Sequence, residues 1–229
     1  MELGAFVFAH PGALVATRSG PELDLDDRVN QFALRPLARE EFATFTLDLC
    51  HNQVDRHFSR FPEDELEKIN GMVPGRPLME RHDLRGSLPR GTFFRSELHR
   101  DGERLSVRPD VYVLRTRDNE DFILNIEGGV YRETSIGFAF QTPECSICAS
   151  DLRVCNHVPG KSYGDAICHY VLRGVIDVIE GSVVPSGSQG TGFVAATRAL
   201  PLGTALDTAR AEFHRPVEIA ARVRHWQRE

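Results

Sequence analysis

Four of the five cysteines lie in one short stretch of the chain, between Cys145 and Cys168. Cys145 and Cys148 form a Cys-x-x-Cys pair, and Cys155 and His157 follow as a Cys-x-His pair. A Cys-x-x-Cys turn brings two sulfurs to one side of a metal ion, and the later cysteine and histidine complete the tetrahedron that zinc prefers. The spacing therefore predicts one zinc ion held by these four side chains. Because all four positions are filled, we expect the metal to have a folding role and not a catalytic one.

Two alternatives compete with this interpretation. Small buried cysteines can cluster by chance, although chance rarely yields Cys-x-x-Cys with a nearby Cys-x-His. Cys168-His169 is a competing ligand pair, but residues 166–172 have a strand pattern. Adjacent side chains of a strand point to opposite faces, so at most one of the two can join the metal. An odd, clustered set of cysteines fits metal ligation in a reducing compartment better than a disulfide framework.

Three polar residues stand out against a β-rich background: His82, Ser135 and Glu180. Each has an ordinary explanation when taken singly, because strand serines, solvated histidines and strand glutamates that face water are common. Residue type and position alone therefore assign no chemistry to them.

The order of the blocks around these residues resembles the tailed-phage prohead protease family. That family carries His-Asp, Ser-x-Gly and Glu-x-Ser-x-Val blocks, matched here from His82, Ser135 and Glu180 onward. One branch, found in phage structural gene clusters, is more similar still. It carries a Cys-Ser-Ile-Cys knuckle and further blocks that match this chain at residues 55–61, 112–116 and 126–135. The resemblance spans about residues 44–193, and the ordered set of blocks is far more specific than any single block.

The resemblance implies a serine endopeptidase that trims scaffold and capsid proteins inside a procapsid. It also implies an assemblin-like fold, in which helices surround a barrel of strands. Carried over by position, Ser135 is the nucleophile, His82 is its general base, and Glu180 is a third member that accepts a bond from the imidazole. Gly137 is expected to let the backbone approach a substrate closely.

The chain departs from the branch at several positions. Arg81 stands where an aspartate often precedes the histidine, and Phe138 stands where a small residue or a cysteine often follows Ser-x-Gly. A flexible run over residues 185–190 replaces the usual prolines and alanines. These changes leave the three residues in place but also fit a relative that kept the fold and lost the chemistry. The alternative function is therefore a non-catalytic virion structural or assembly protein.

The sequence predicts that the strands and helices that position these residues form an α+β, mainly β domain. With 41% hydrophobic residues in 229, one main domain is the default, over residues 41–193, with the zinc knuckle inserted at residues 143–170. Alternating β-branched and aromatic residues predict a largely antiparallel, barrel-like sheet, and helices are expected near residues 62–69 and 122–126. The strand segments are 42–49, 105–114, 130–131, 134–140, 166–172 and 175–184. An N-terminal arm over residues 1–40 and a helical tail over residues 194–229 complete the organisation.

Charge and hydropathy limit the environment and the partners. A formal charge of -6, from 27 Lys+Arg against 33 Asp+Glu, lacks the basic excess of a nucleic-acid binder and disfavours a zinc-ribbon-like nucleic-acid module. No apolar run reaches membrane-spanning length, and the first residues do not read as a secretory signal. We therefore expect a cytoplasmic protein, and the resemblance implies that this is the cytoplasm of the host. The resemblance adds the procapsid or virion as a location, phage capsid, scaffold or other virion proteins as partners, and a homo- or hetero-oligomer.

Overall fold

Strands dominate the architecture. The structure, a computed structural model, describes residues 24–194. Strands account for 42% of the structure and helices for 18%, which confirms the mainly β prediction. Residues 195–229 of the helical tail predicted over 194–229, and residues 1–23 of the arm predicted over 1–40, lie outside the described residues.

The described chain contains eleven strands and three α-helices. The helices are α1 (Leu25–Asn30), α2 (Glu63–Met72) and α3 (Glu120–Glu127). The strands are β1 (Phe42–Thr46), β2 (Cys50–His51), β3 (Ser59–Arg60), β4 (Pro77–Glu80), β5 (Gly91–Asp101), β6 (Arg104–Leu114), β7 (Glu133–Cys145), β8 (Ser162–Tyr163), β9 (Ala166–Ile167), β10 (Tyr170–Val184) and β11 (Thr191–Gly192). None of the helices within residues 24–194 has the length and apolar character needed to cross a bilayer.

Nine of the strands form one curled sheet, in the order β1-β6-β5-β4-β10-β7-β11, with β2 on β6 and β3 on β10. Pairing is antiparallel except where β4 and β3 run parallel to β10. The first and last strands of this order approach each other, because Leu47 bridges Phe193 and the Asp48 N–H donates to the Gly192 carbonyl at 2.9 Å. The three segments that form the centre of the predicted sheet, 105–114, 134–140 and 175–184, are all strands of it.

The core lies on the concave face of the sheet, against α2. Leu66 and Ile69 of this helix are fully buried in one cluster with Phe93 and Val178. The helix begins after Pro62 with three acidic residues in its first turn, where they interact favourably with the helix dipole. One of them, Glu65, is buried, and its carboxylate accepts hydrogen bonds from two backbone N–H groups of β10 at 2.8 Å each. The helix is thereby fixed to the strand that carries Glu180.

The loop over residues 185–190 is fixed to β2 by His51 and Gln189. The Gln189 side chain accepts a bond from the His51 N–H at 2.9 Å and donates to the His51 carbonyl at 3.2 Å. The imidazole Nε2 donates to the Gln189 carbonyl at 2.9 Å, while Nδ1 accepts from the Gln53 N–H at 3.2 Å. In the neutral tautomer both ring nitrogens of His51 therefore have a hydrogen-bond partner. Burial, the largest effect, lowers the pKa of His51.

Two predicted strand segments are wrong. Residues 130–131 lie in the turn after α3, because the N–H groups of Val130 and Tyr131 both donate to the Asn125 carbonyl and close the helix end. Residues 166–172 are not one strand, since β9 ends at Ile167 and β10 begins at Tyr170. The predicted strand over residues 42–49 ends at Thr46. The sequence analysis also missed β5, an eleven-residue strand that pairs with β6.

Candidate functional site

His82 and Glu180 form a hydrogen-bonded pair, with 2.5 Å between Nδ1 and Oε1. His82 follows β4, which runs parallel to β10, and the Arg81 N–H extends this pairing by donating to the Val183 carbonyl at 2.9 Å. The pairing brings His82, two residues after the end of β4, next to Glu180. The Glu180 side chain is 2% exposed and that of His82 is 44% exposed, so a surface imidazole covers a buried carboxylate.

Ser182 binds the second oxygen of the same carboxylate, with 2.5 Å between its Oγ and Oε2 of Glu180. The Ser182 Oγ also lies 3.0 Å from the Arg81 carbonyl. Its single proton has two acceptors here, and the carboxylate is the stronger one and the nearer. Both oxygens of the buried carboxylate are thus satisfied, as its burial requires. The sequence analysis gave Ser182 no role, although a residue two positions after Glu180 on one strand shares its face.

Gly137 has no side chain, and the Glu180 carboxylate occupies the space that a side chain would fill. The two residues are partners in the antiparallel pairing of β7 and β10. A Cβ on Gly137 would lie 2.2 Å from Oε1 of Glu180, far inside van der Waals contact. The resemblance implied that this glycine admits a substrate backbone, whereas the structure shows that it admits the side chain of the third predicted residue.

Ser135 lies on the same face of the sheet, one strand away from the pair. Its partner in the pairing is Ser182, and residues directly opposite each other on antiparallel strands share a face. Ser135 is half-buried, whereas Ser182 is fully buried. Within residues 24–194 the Ser135 hydroxyl makes no hydrogen bond. The structure therefore joins His82 to Glu180 and places Ser135 beside them without a bond to His82.

The bond to Glu180 defines the state of the His82 imidazole. Hydrogen bonding to Glu180, the largest effect, raises the pKa of His82, and burial opposes this increase. A carboxylate acceptor at Nδ1 keeps the proton there, so that Nε2 of the neutral ring carries the lone pair. In the described part of the chain Nε2 has no hydrogen-bond partner. The imidazole is thus arranged to accept a proton at Nε2.

The turn after His82 is held by its own side chains. The Asp83 carboxylate accepts bonds from the N–H groups of Arg85 at 3.2 Å and Gly86 at 2.7 Å. Asp83 is therefore occupied in the turn and is not the partner of the imidazole. Arg81 has φ of 67°, a left-handed conformation that costs energy for a residue with a side chain. Its carbonyl lies 3.0 Å from the Ser182 Oγ, so this strained residue is adjacent to the pair.

The Cys/His cluster lies beyond the ends of β7 and β10 that meet at Cys145 and Tyr170. The three sulfurs and the imidazole nitrogen of Cys145, Cys148, Cys155 and His157 all lie within 4.8 Å of one another. Two sulfurs bound to one zinc ion are about 3.8 Å apart, from a bond length of about 2.3 Å and a tetrahedral angle. The separations therefore allow these four residues to hold one metal ion.

Two details of the cluster suit metal binding. The His157 Nδ1 is buried without a hydrogen-bond partner, which is costly unless something binds it. The Ile147 N–H donates to the Cys145 sulfur at 3.4 Å. Burial, the largest single effect, raises the pKa of the Cys145 thiol. Hydrogen bonds, including those from the backbone of Ile147 and Cys148, together outweigh burial and lower this pKa to about 7. A thiol with this pKa supplies the thiolate that a metal ion requires.

Cys168 and His169, the competing ligand pair, directly follow β9. Cys168 is buried, and its sulfur lies 3.9 Å from that of Cys145, but it is outside the group of four. His169 is half-buried and also outside the group, and its Nδ1 lies 3.4 Å from the Ile167 carbonyl.

Comparisons of the chain with protein-family profiles, with curated proteins and with solved structures give no match.

Proposed function

We propose that this chain is a serine endopeptidase of the prohead protease type, which cleaves scaffold and capsid proteins while a phage head assembles. The observation that carries the proposal is the His82–Glu180 bond, made by a buried carboxylate on the face of the sheet where Ser135 lies. A carboxylate, an imidazole and a serine on adjoining strands are the parts of an acyl-transfer site. The curled, mainly β sheet supports the assemblin-like fold that the sequence resemblance implies.

In the proposed reaction, the Ser135 Oγ bonds to the scissile carbonyl carbon while its proton passes to the His82 Nε2. The C–N bond then breaks as the same proton moves to the leaving amine. A water molecule then gives a proton to Nε2 while its oxygen bonds to the acyl carbon. The ester bond to Oγ breaks, the proton moves from Nε2 to Oγ, and the acyl product leaves as a carboxylic acid. Glu180 holds the imidazole in the required tautomer and stabilises the imidazolium, and Ser182 holds Glu180.

Ser135, and not Ser182, is the nucleophile in this scheme. Ser182 is fully buried and its hydroxyl is bound to Glu180, so it can neither reach a substrate nor give its proton to His82. Ser135 is half-buried and its hydroxyl is unbound within the described chain. Catalytic hydrogen bonds are often long without substrate and form in the substrate complex, which is when we expect His82 to meet Ser135.

We further propose that the Cys/His cluster holds a structural zinc ion. The loop between β7 and β10 is too short to bury a core of its own, and four protein ligands leave no position for a water molecule. Metal binding then supplies the folding energy of this loop. The proposed partners are capsid and scaffold proteins, in the host cytoplasm and in the procapsid.

The first test is labelling with a fluorophosphonate, which reacts with activated serines. We expect a single adduct on Ser135 by peptide mass spectrometry, lost in Ser135→Ala and strongly reduced in His82→Ala. Ser188→Ala is the matched control, because Ser188 is also half-buried and lines the same cavity as Ser135. This variant should label at the wild-type rate. Absence of an adduct on Ser135 in the wild-type protein would overturn the serine-hydrolase assignment.

The second test concerns the substrate. Co-expression with the capsid and scaffold proteins encoded beside this chain should give cleaved products that disappear with Ser135→Ala. Cleavage that persists in this variant would show that another protease is responsible.

One observation favours a second candidate function, a non-catalytic virion assembly protein with the same fold. It is that the Ser135 hydroxyl makes no bond to His82 within the described residues. This candidate predicts no fluorophosphonate adduct and no cleavage, together with incorporation of the uncleaved chain into purified particles. Labelling of Ser135 would exclude it.

A further inference from the structure

One edge of β7 lacks a strand partner beside Ser135. On one side β7 pairs with β10 along its whole length. On the other side it pairs with β11 only at Glu133 and Thr134, and the next backbone bond from β7 to a segment other than β10 joins Pro143 to Leu152. Between these points, over residues 136–140, no backbone group on this edge has a partner among residues 24–194.

The alternation of a strand identifies the unpaired groups. The Arg132 carbonyl accepts from the Phe193 N–H on this edge, so every second residue after it faces the same way. The N–H and C=O groups of Ile136 and Phe138 therefore point away from β10, and those of Ser135 and Gly137 point toward it. A buried polar backbone without partners is rare, and an exposed strand edge of this kind is a template for another strand.

The side chains along this edge are accessible and differ between its two faces. Ile136 and Phe138 are only partly buried although they pack against the core, and Phe138 lies 4.9 Å from Phe61 between ring centroids. On the other face, where Ser135 lies, the next two side chains are the small ones of Gly137 and Ala139. The edge thus offers apolar contacts on one face, and on the other it lies next to the candidate nucleophile and the Glu180 carboxylate that covers Gly137.

Three residues of β7 beside this edge line a cavity. Ser135, Ile136 and Phe138 lie around it together with Ser188 and Gln189. Bonds between Gln189 and His51 hold this part of the loop over residues 185–190 in place. The free edge is therefore next to a recess that the candidate nucleophile also lines.

We propose that the substrate binds as an added strand along the free edge of β7, an inference that rests on the proposed function. The occupant is an unfolded or flexible protein segment in extended conformation, whose backbone pairs with Ile136 and Phe138. Its side chains alternate between the face that carries the apolar side chains of these two residues and the face that carries Ser135. The bound strand passes Ser135, which places a scissile carbonyl within reach of its hydroxyl. Folded proteins without such a segment are not substrates.

The experiment measures backbone amide exchange in the full-length Ser135→Ala protein, with and without excess fluorescein-labelled casein as an unfolded chain that is not cleaved. We expect the amides of Ile136 and Phe138 to become protected when casein is added. The Gly137 amide is the internal control, because it faces β10 and should be protected in both samples. Unchanged exchange at Ile136 and Phe138 would overturn the proposal. Protection without casein, together with a dimer in sedimentation, would show a second copy on this edge and would also overturn it.

A variant tests the same edge through catalysis. Ile136→Pro removes an N–H group from the free edge and leaves the pairing with β10 intact, as an edge strand allows. One lost backbone hydrogen bond should lower kcat/KM on casein by about 3- to 10-fold, and an unchanged kcat/KM would contradict pairing at Ile136. Fluorophosphonate labelling of the wild-type protein reports separately on the proposed function. If Ser135 is labelled but casein protects neither amide, the protease assignment stands and the added strand is wrong.

Discussion

Replacing Gly137 by alanine is expected to break the His82–Glu180 hydrogen bond without changing any charge. Gly137 has an ordinary strand conformation, so alanine meets no backbone strain at this position. The new methyl group would instead lie 2.2 Å from Oε1 of Glu180, 3.0 Å from its Cδ and 3.2 Å from its Cγ. The perturbation therefore acts on one carboxylate.

The size of the effect follows from these distances. Ordinary contact begins at 3.4 Å, so Oε1 must move by about 1.2 Å, the difference between 3.4 and 2.2 Å. The Glu180 side chain is almost fully buried and is held by Ser182, so it has little room to move. A displacement of this size lengthens the 2.5 Å bond to His82 beyond hydrogen-bonding range. Misplacement of a catalytic group by about 1 Å costs on the order of 100-fold in rate.

Two assays measure the consequence. An NMR titration of the imidazole should show the pKa of His82 lower than in the wild-type protein, because the bond to Glu180 raises it. Fluorophosphonate labelling of Ser135 should slow by on the order of 100-fold. Gly71→Ala is the matched control: a Cβ there meets nothing within 4 Å, and alanine stabilises a helix by up to about 1 kcal/mol relative to glycine. An unchanged His82 titration in Gly137→Ala would refute the reasoning.

Three further predictions follow from the same geometry. Glu180→Gln should shift the rise of the labelling rate with pH to lower pH, because the pKa of His82 falls, and lower its plateau by about 10²- to 10⁴-fold. Cys148→Ser should reduce bound zinc, measured by elemental analysis, from one per chain to none and lower the melting temperature by more than about 5 °C. The stability difference between the wild-type protein and His51→Gln, from urea titrations, should shrink as pH drops below about 6.5, because His51 has a lowered pKa and its folded form is neutral.

Each of these predictions has its own control. His82→Ala should abolish the pH dependence that Glu180→Gln shifts. Cys50→Ala should leave the zinc content unchanged, since Cys50 is buried in the core apart from the cluster. Zinc bound at full stoichiometry by Cys148→Ser would exclude the proposed set of four ligands. His51→Gln should flatten the decrease in stability between pH 8 and 5.5. A stability difference between the wild-type protein and His51→Gln that is the same at both pH values would contradict the role given to His51.

The sequence by itself determined the features that depend on local spacing. The four residues that can hold a metal ion lie within thirteen positions, so a short loop is enough to bring them together. The strands that carry Ser135 and Glu180 were readable because alternation of side chains is a local property. The α2 helix was equally readable, from Pro62 and the acidic residues that follow it. The errors at residues 130–131 and 166–172 fall on short apolar runs, where helix ends and turns have the same composition as strands.

Only the tertiary structure decided how the distant residues meet. Glu180 lies opposite Gly137 and beside His82 because β10 pairs with β7 on one side and with β4 on the other. The register of these pairings depends on bulges in β10 and on its bonds to Glu65, and neither has a local signal. The same pairings give Ser182 its role and leave the edge of β7 free. A one-residue change of register would turn every one of these side chains to the other face, which is why the site exists only in the folded sheet.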